Sequence, residues 1–217
     1  MREHFHEKLE DLKIDLLKMG TLVEEAISKA IRALTKKDIK LANDIITNDE
    51  IINNMELEIE NRCVLLIATE QPVAGDLRFI ISAMKTIRDL ERIGDYAAHL
   101  AKAAIANADI SFGIPQDIPK MTEICIGMLK DTLKAFSELD VEKAEEVKER
   151  DELVDSYYLN VFRELLTEMG EDSEHIRQTT SLVLVAKFLE RLADHVANIC
   201  EEVIYVCTGK RKDKFIL

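Results

Sequence analysis

Leu90-Glu91-Arg92-Ile93-Gly94-Asp95 recurs as Leu189-Glu190-Arg191-Leu192-Ala193-Asp194, and this recurrence decides the fold. In each copy a glutamate interrupts an apolar seam of helical spacing. The first seam runs Leu77, Ile80, Met84, Ile87, then Glu91, Gly94, Ala98, Ala101; the second runs Ile176, Thr179, Val183, Ala186, then Glu190, Ala193, Ala197, Cys200. An aspartate follows each glutamate one turn later. That spacing puts both carboxylates on one helix face, and the small residue between them leaves room beside the pair.

Upstream, the repeat continues at an offset of 102 rather than 99, so three residues are missing at a turn. Asp38-Ile39-Lys40-Leu41-Ala42 answers to Asp140-Val141-Glu142-Lys143-Ala144, and Asp49-Glu50-Ile51-Ile52-Asn53 answers to Asp151-Glu152-Leu153-Val154-Asp155. Each half reads as three helices. Leu9, Leu12, Leu16, Met19, Val23, Ala26, Ala30 and Ala33 form a coiled-coil-like seam on the first. Asp38 and Asp140 are placed to N-cap the second helices, each read as one helix of more than 25 residues. Turns at 71–75 and 170–173 end these, and the third helices run to about Asn107 and Thr208. The expectation is an all-α protein of two tandem, pseudo-symmetric antiparallel three-helix bundles, six long helices in all. Residues 1–108 form the first repeat, 109–119 a linker with two prolines, and 120–217 the second repeat. Only 7 Gly, 3 Pro and 5% aromatics beside 33% charged residues agree with helix throughout.

A formal charge of −13 with no basic stripe argues against nucleic acid as a partner. Met1 to His6 is charged rather than a signal core, and no apolar run nears the roughly 20 residues of a membrane span, so a soluble cytoplasmic protein is expected. Cys63, Cys125, Cys200 and Cys207 lie among apolar residues without metal spacing and read as buried thiols of a reducing compartment. The basic run Lys210-Arg211-Lys212-Asp213-Lys214, followed by Phe215-Ile216-Leu217, reads as a solvated tail outside the bundles, offering at most peripheral contact with an acidic membrane surface. A homodimer is the expected assembly.

Antiparallel helices place residues equidistant from their turn side by side. The segments 49–53 and 91–95 are centred about Pro72, and 151–155 and 190–194 about the Asp172–Ser173 step, so each half should bring four oxygen-bearing side chains together. These are Asp49, Asn53, Glu91 and Asp95 in the first half, and Asp151, Asp155, Glu190 and Asp194 in the second. Several carboxylates on one face call for protons or cations. An all-oxygen set favours Mg²⁺, Mn²⁺, Ca²⁺ or iron over structural zinc. The competing reading is an ion-pair network in which Arg88, Arg92, Lys187 and Arg191 neutralise the carboxylates. His99 and His195 are expected beside the site or in solvent. A di-iron enzyme would need paired Glu-x-x-His motifs, and only Glu3 with His6 has that spacing. No phosphate-binding Gly-rich loop or nucleophile triad emerges either. The functional readings are therefore a non-catalytic metal-binding regulator, a carboxylate-bridged metalloenzyme, or a metal-free helical scaffold.

Pro72-Val73-Ala74-Gly75-Asp76-Leu77-Arg78, together with Leu90-Glu91-Arg92-Ile93-Gly94-Asp95, resembles the paired motifs of the PhoU family, and the resemblance covers essentially the whole chain. It implies two three-helix bundles with (Glu/Asp)-x-x-x-Asp metal motifs at Asp49 with residue 53, Glu91 with Asp95, Asp151 with Asp155, and Glu190 with Asp194. It further implies restraint of phosphate uptake and of the phosphate-starvation response, by coupling a phosphate ABC transporter to a sensor histidine kinase. Asn53 departs from the carboxylate pattern, so the first site is expected to carry one negative charge fewer and to bind metal more weakly. Ser173-Glu174-His175-Ile176-Arg177 keeps only Arg177 of the proline motif.

Overall fold

Both capping aspartates do what their position suggests: Asp38 Oδ1 accepts a hydrogen bond from the Leu41 amide at 3.0 Å, and Asp140 Oδ1 accepts one from the Lys143 amide at 2.9 Å. The preceding turns are also copies of each other. Lys37 and Leu139 take left-handed φ values of 55° and 54°, and the Asp38 and Asp140 amides each reach back 2.9 Å to the carbonyls of Ala33 and Ala135.

The computed structural model describes residues 2–109, 113–171 and 176–211. Its helices are α1 (Arg2–Lys36), α2 (Ile39–Glu70), α3 (Ala74–Ala106), α4 (Asp117–Glu138), α5 (Val141–Glu149), α6 (Asp151–Glu171) and α7 (Ile176–Thr208), with no strand among the described residues. The expected second helix of the second half is thus divided at Arg150. The Arg150 amide bonds back three residues to Val147, and the Leu153 and Val154 amides share the Arg150 carbonyl. Its side chain meanwhile holds Asp131 of α4 at 2.6 Å. Arg150 stays right-handed at φ −73°, ψ −16°, so the division is a local tightening and the six-helix plan stands. α4 takes in Asp117, Ile118 and Pro119 from the end of the segment read as linker; proline is tolerated in a first helical turn. The Asp172–Ser173 turn, the 110–112 stretch of the linker, the 212–217 tail and the Glu3 side chain lie outside the described residues.

On α1 the seam residues Leu12, Leu16, Met19, Val23, Ala30 and Ala33 are fully buried. Each large one contributes about 1.5–3 kcal/mol relative to exposure. The two halves share one continuous core: α3 packs on α7 and α1 on α4, and the Phe79 and Phe136 rings lie 5.5 Å apart. α1 and α4 come so close that a Cβ on Gly20 would lie 2.4 Å from Leu133 Cδ1. α3 and α7 run antiparallel, as their contacts show. Arg78 Nε donates to the Val206 carbonyl, Ser82 to Glu202, His195 Nδ1 pairs with Asp89, and Asn107 Nδ2 donates to Ser181. Because these helices are repeat counterparts, the 90–95 and 189–194 motifs lie level with one another across the seam.

Cys63, Cys125 and Cys200 are buried, and burial pushes the Cys63 thiol up to about 12. Cys207 is exposed, contrary to expectation, with its thiol donating to the Leu139 carbonyl at 3.3 Å. The start of the tail is exposed but held against the bundle. Arg211 folds back to make two hydrogen bonds with buried Glu202, at 2.7 and 2.9 Å, and stacks 3.9 Å from the Tyr205 ring.

Candidate functional site

α2 lies hard against α3 at the expected level. A Cβ on Gly94 would stand 3.1 Å from Ile52 Cδ1 and 3.7 Å from Asp49 Oδ1, so a glycine at this position lets the Asp49 carboxylate approach the α3 backbone. The apolar stripes explain the register: Ile45, Ile52 and Ile59 of α2 and Ile80, Ile87 and Leu90 of α3 are all buried, which aims the interleaved carboxylates along the edge of that seam.

The carboxylates of the first half sense one another. Burial and then the Asp95 charge raise Asp49 above the usual carboxylate range, against the opposing charges of Lys102 and His99. Burial and Asp95 also raise Glu91, which feels Glu56 and Asp49 as well and is partly relieved by Arg92. In the second half, burial followed by the Asp194, Asp155 and Glu190 charges pushes Asp151 up to about 6. Asp155 and Asp194 are raised by burial and then by Glu190. The carboxylates of each half thus lie within one another's electrostatic reach.

Glu56 was missed in the sequence. Burial raises its carboxyl, the Glu60 charge and more weakly the Asp95 charge add to the rise, and Arg88 and Arg92 oppose it. Its signal was present, because Asp49, Ile52 and Glu56 lie on one stripe of α2. Its repeat counterpart, however, is Tyr158, so searching for matched positions passed over it. Glu56 places a further carboxylate near Asp95 and Glu91, beside the neutral Asn53.

Counter-charges are present too. Arg92 lies 3.5 Å from Glu91 and 3.2 Å from Asp95, and Lys187 lies 2.6 Å from Glu190 while resting over the Tyr158 ring at 5.2 Å. Arg88 and Arg191 make no ion pair among the described residues. These cations leave part of the site unanswered. Asp49 Oδ1, Asn53 Oδ1 and Glu190 Oε2 are buried without a hydrogen-bond partner, a condition that costs about 1–3 kcal/mol per group. Hard oxygen donors with orphaned lone pairs suit a hard cation chemically. In this arrangement no three His, Cys, Asp or Glu side chains among the described residues gather closely enough to hold one ion.

Neither histidine is solvated. His195 Nδ1 lies 2.7 Å from Asp89 across the α3–α7 seam, and His99 packs 5.1 Å from the Phe188 ring with its Nδ1 buried and unpartnered.

The fold and site define a class: a duplicated three-helix protein whose repeats each present partly buried carboxylates on the facing sides of two helices. The PhoU domain matches residues 16–104 and again 118–203. The chain is 43% identical over 214 residues to the phosphate-specific transport system accessory protein PhoU homolog of Clostridium acetobutylicum, covering 98% of each chain. It also superimposes on the crystal structure of PhoU from Pseudomonas aeruginosa with a TM-score of 0.90 at 38% identity, covering 95% of this chain and 100% of that one. The phosphate transport system regulatory protein PhoU from Streptococcus pneumoniae gives 0.91 at 37% identity, with 96% and 99% covered. This chain belongs to the PhoU family.

Proposed function

We propose that this chain is a non-catalytic regulator of phosphate uptake and of the phosphate-starvation response, a cytoplasmic, homodimeric adaptor between a phosphate ABC transporter and a sensor histidine kinase. The observation that carries this reading is a full-length match to a protein named as a phosphate transport accessory protein, together with one named as a regulatory protein. No helix of the described residues is long and apolar enough to cross a membrane, so contact with the transporter would be made from outside the bilayer.

The surface supports an adaptor. Ile51, Leu57 and Val64 on α2 are about half exposed, and so are their repeat counterparts Leu153, Leu159 and Leu166 on α6. Matched apolar residues left in water in both repeats suit protein contact better than chance exposure does. The carboxylate sets border these helices, and divalent or trivalent ions held by Asp49, Asn53, Glu56, Glu91 and Asp95, and by Asp151, Asp155, Glu190 and Asp194, would neutralise that edge. Binding would require Arg92 and Lys187 to yield their carboxylates. Those same pairs favour the second reading, a metal-free scaffold neutralised by its own cations.

Complementation tests the role. In a strain lacking its own family member, this chain should restore restraint of phosphate uptake under phosphate-replete conditions, and Leu57→Asp with Leu159→Asp should abolish that restraint without unfolding the protein. Failure of the wild-type chain, given sound expression, would sink the regulator reading. Elemental analysis separates the two site readings: protein purified without chelator should contain Mg, Mn, Ca or Fe, and Glu190→Ala with Asp194→Ala should lower that content. A metal content unmoved by the double substitution would leave the scaffold reading standing.

A further inference from the structure

A cleft of about 510 Å³ opens between α3, α5, α7 and the end of the chain, and it adjoins the first carboxylate set at Arg92. Six cationic side chains line it: Lys85, Arg88 and Arg92 of α3, Lys148 of α5, and Lys210 and Arg211 beyond α7. Only Asp89, Glu201 and Glu202 oppose them. A local cationic excess in a chain of formal charge −13 is not what composition alone would produce.

The duplication supplies a control within the molecule. The fold provides an equivalent place on the other side of the α3–α7 seam, and there the counterparts of Lys85, Asp89, Lys148, His195 and Glu202 are Leu184, Phe188, Ile46, Tyr96 and Ala103. Tyr96 and Phe188 stack at 5.9 Å where Asp89 and His195 form an ion pair at 2.7 Å. The other copy keeps cations at Lys187 and Arg191, the counterparts of Arg88 and Arg92, but aromatic and aliphatic groups replace Lys85, Asp89, Lys148, His195 and Glu202, so packing α3 on α7 does not itself demand those polar groups.

The acids present are already engaged. Glu202 accepts from Ser82 at 2.9 Å and from Arg211 through both guanidinium nitrogens, with Lys85 at 3.4 Å. Glu201 holds Lys148 at 2.8 Å, and Asp89 holds His195. Arg88 is exposed and Lys210 is exposed, and neither makes an ion pair among the described residues. Lys210 and Arg88 therefore hold no carboxylate by a direct ion pair, although Arg88 also lies in the field of Glu56, so an added anion meets two donors that need not break a salt bridge.

We propose that this cleft binds a soluble polyanion bearing two or more phosphoryl groups, with Arg88 and Lys210 as its principal contacts and Lys85 and Arg211 flanking them. Guanidinium forks match paired phosphoryl oxygens, and lysine adds a point charge without directional demand. The volume lies in the range of small-molecule pockets and exceeds what one orthophosphate would fill. Screening over about 8 Å at physiological ionic strength keeps the protein's remote acidic surface from cancelling the attraction at contact. Arg92 belongs to this cleft and to the first carboxylate set, so it is left intact in the test.

The experiment is calorimetric titration of the chelator-treated full chain with inorganic pyrophosphate at low salt. Saturable binding is expected. Arg88→Gln with Lys210→Gln should weaken it by about tenfold or more, whereas Lys40→Gln with Lys134→Gln, which removes the same charge from exposed positions elsewhere, should leave it within about twofold. No saturation up to ~10 mM pyrophosphate, or equal weakening by both double substitutions, would overturn the proposal, the latter showing only the field of the whole protein. Vesicles containing phosphatidylglycerol provide the second arm: binding to them through Arg88 and Lys210 that pyrophosphate does not displace would assign the cleft to a lipid surface and equally refute a soluble ligand. Circular dichroism of each variant checks that the helices are retained.

Discussion

Replacing Asp151 by asparagine should stabilise the metal-free protein near neutral pH, although it removes a residue from the candidate site. Asp151 is raised from 3.8 to about 6 by burial first and then by Asp194, Asp155 and Glu190. The folded state thus binds this proton more tightly than the unfolded state does. The stabilisation is fully present below about 3.8, declines as pH rises, and is lost above about 6. Each pKa unit is worth about 1.4 kcal/mol, so a rise of two units corresponds to roughly 3 kcal/mol at full strength. The carboxylate is only half-buried and water screens it, which reduces the expected effect to about 1–2 kcal/mol. Urea unfolding of chelator-treated wild type and Asp151→Asn, followed by circular dichroism near pH 4 and near pH 7.5, reads the difference. The variant should gain about 1–2 kcal/mol over wild type at the higher pH and almost nothing at the lower. A variant less stable than wild type at neutral pH, or a difference that does not change with pH, would refute the claim that burial and the neighbouring charges strain this carboxylate. Excess Mn²⁺ should reverse the order if the set binds it, because only the wild type then gains linked stabilisation.

Three further outcomes follow from particular contacts. Glu56→Gln should weaken Mn²⁺ binding by the first half about as much as Asp155→Asn weakens it in the second, roughly tenfold in each case by calorimetry, whereas a set built only from the expected positions would be indifferent to Glu56. Gln71 closes α2 in the left-handed region at φ 48°, ψ 56°, so Gln71→Gly should raise stability by about 0.5–1 kcal/mol and the melting temperature by a few degrees; a lowered melting temperature would contradict it. Glu202 is 6% exposed and joins α3 to the end of the chain through Ser82, Lys85 and Arg211, so Glu202→Ala should cost about 2–4 kcal/mol in urea unfolding near neutral pH, and less in acid, since burial alone would raise this carboxyl but its partners hold it below the usual range.

The helical plan was legible because it is written twice at fixed offsets, and because capping aspartates and buried seams fix each helix by local chemistry. The α2–α3 register was legible for a related reason. A turn of a few residues at Pro72 leaves antiparallel neighbours little freedom to slide, so counting outward brought Asp49 level with Gly94 and Asp95. What escaped the sequence depends on contacts between elements far apart in the chain. The pairing of Asp89 with His195 requires knowing that α3 lies against α7, and nothing in either helix's periodicity says so. Arg211 looked like part of a solvated tail because its partner, Glu202, looked like one more surface carboxylate; only the packing of α3 on α7 buries it. At the division in the second repeat the Arg150 guanidinium is held by Asp131 of another helix, a contact its own segment does not announce.

The two carboxylate sets differ in a way that bears on what each holds in common. The first half has Asn53 and Glu56 where the second has Asp155 and Tyr158, so a carboxylate stands one helical turn further along the second helix of the first half. The neighbouring cation changes with it. Arg88 faces the Glu56 charge, whereas its counterpart Lys187 rests on the Tyr158 ring and reaches Glu190. An ordinary ion-pair network gains nothing from a carboxylate at Glu56, because a neutral side chain there would relieve repulsion with Glu91 and Asp95. A carboxylate placed at unequal positions in the two repeats is the arrangement expected where the negative field itself is the useful property, which is why the comparison of Glu56→Gln with Asp155→Asn tests the site more sharply than removing any carboxylate shared by both repeats.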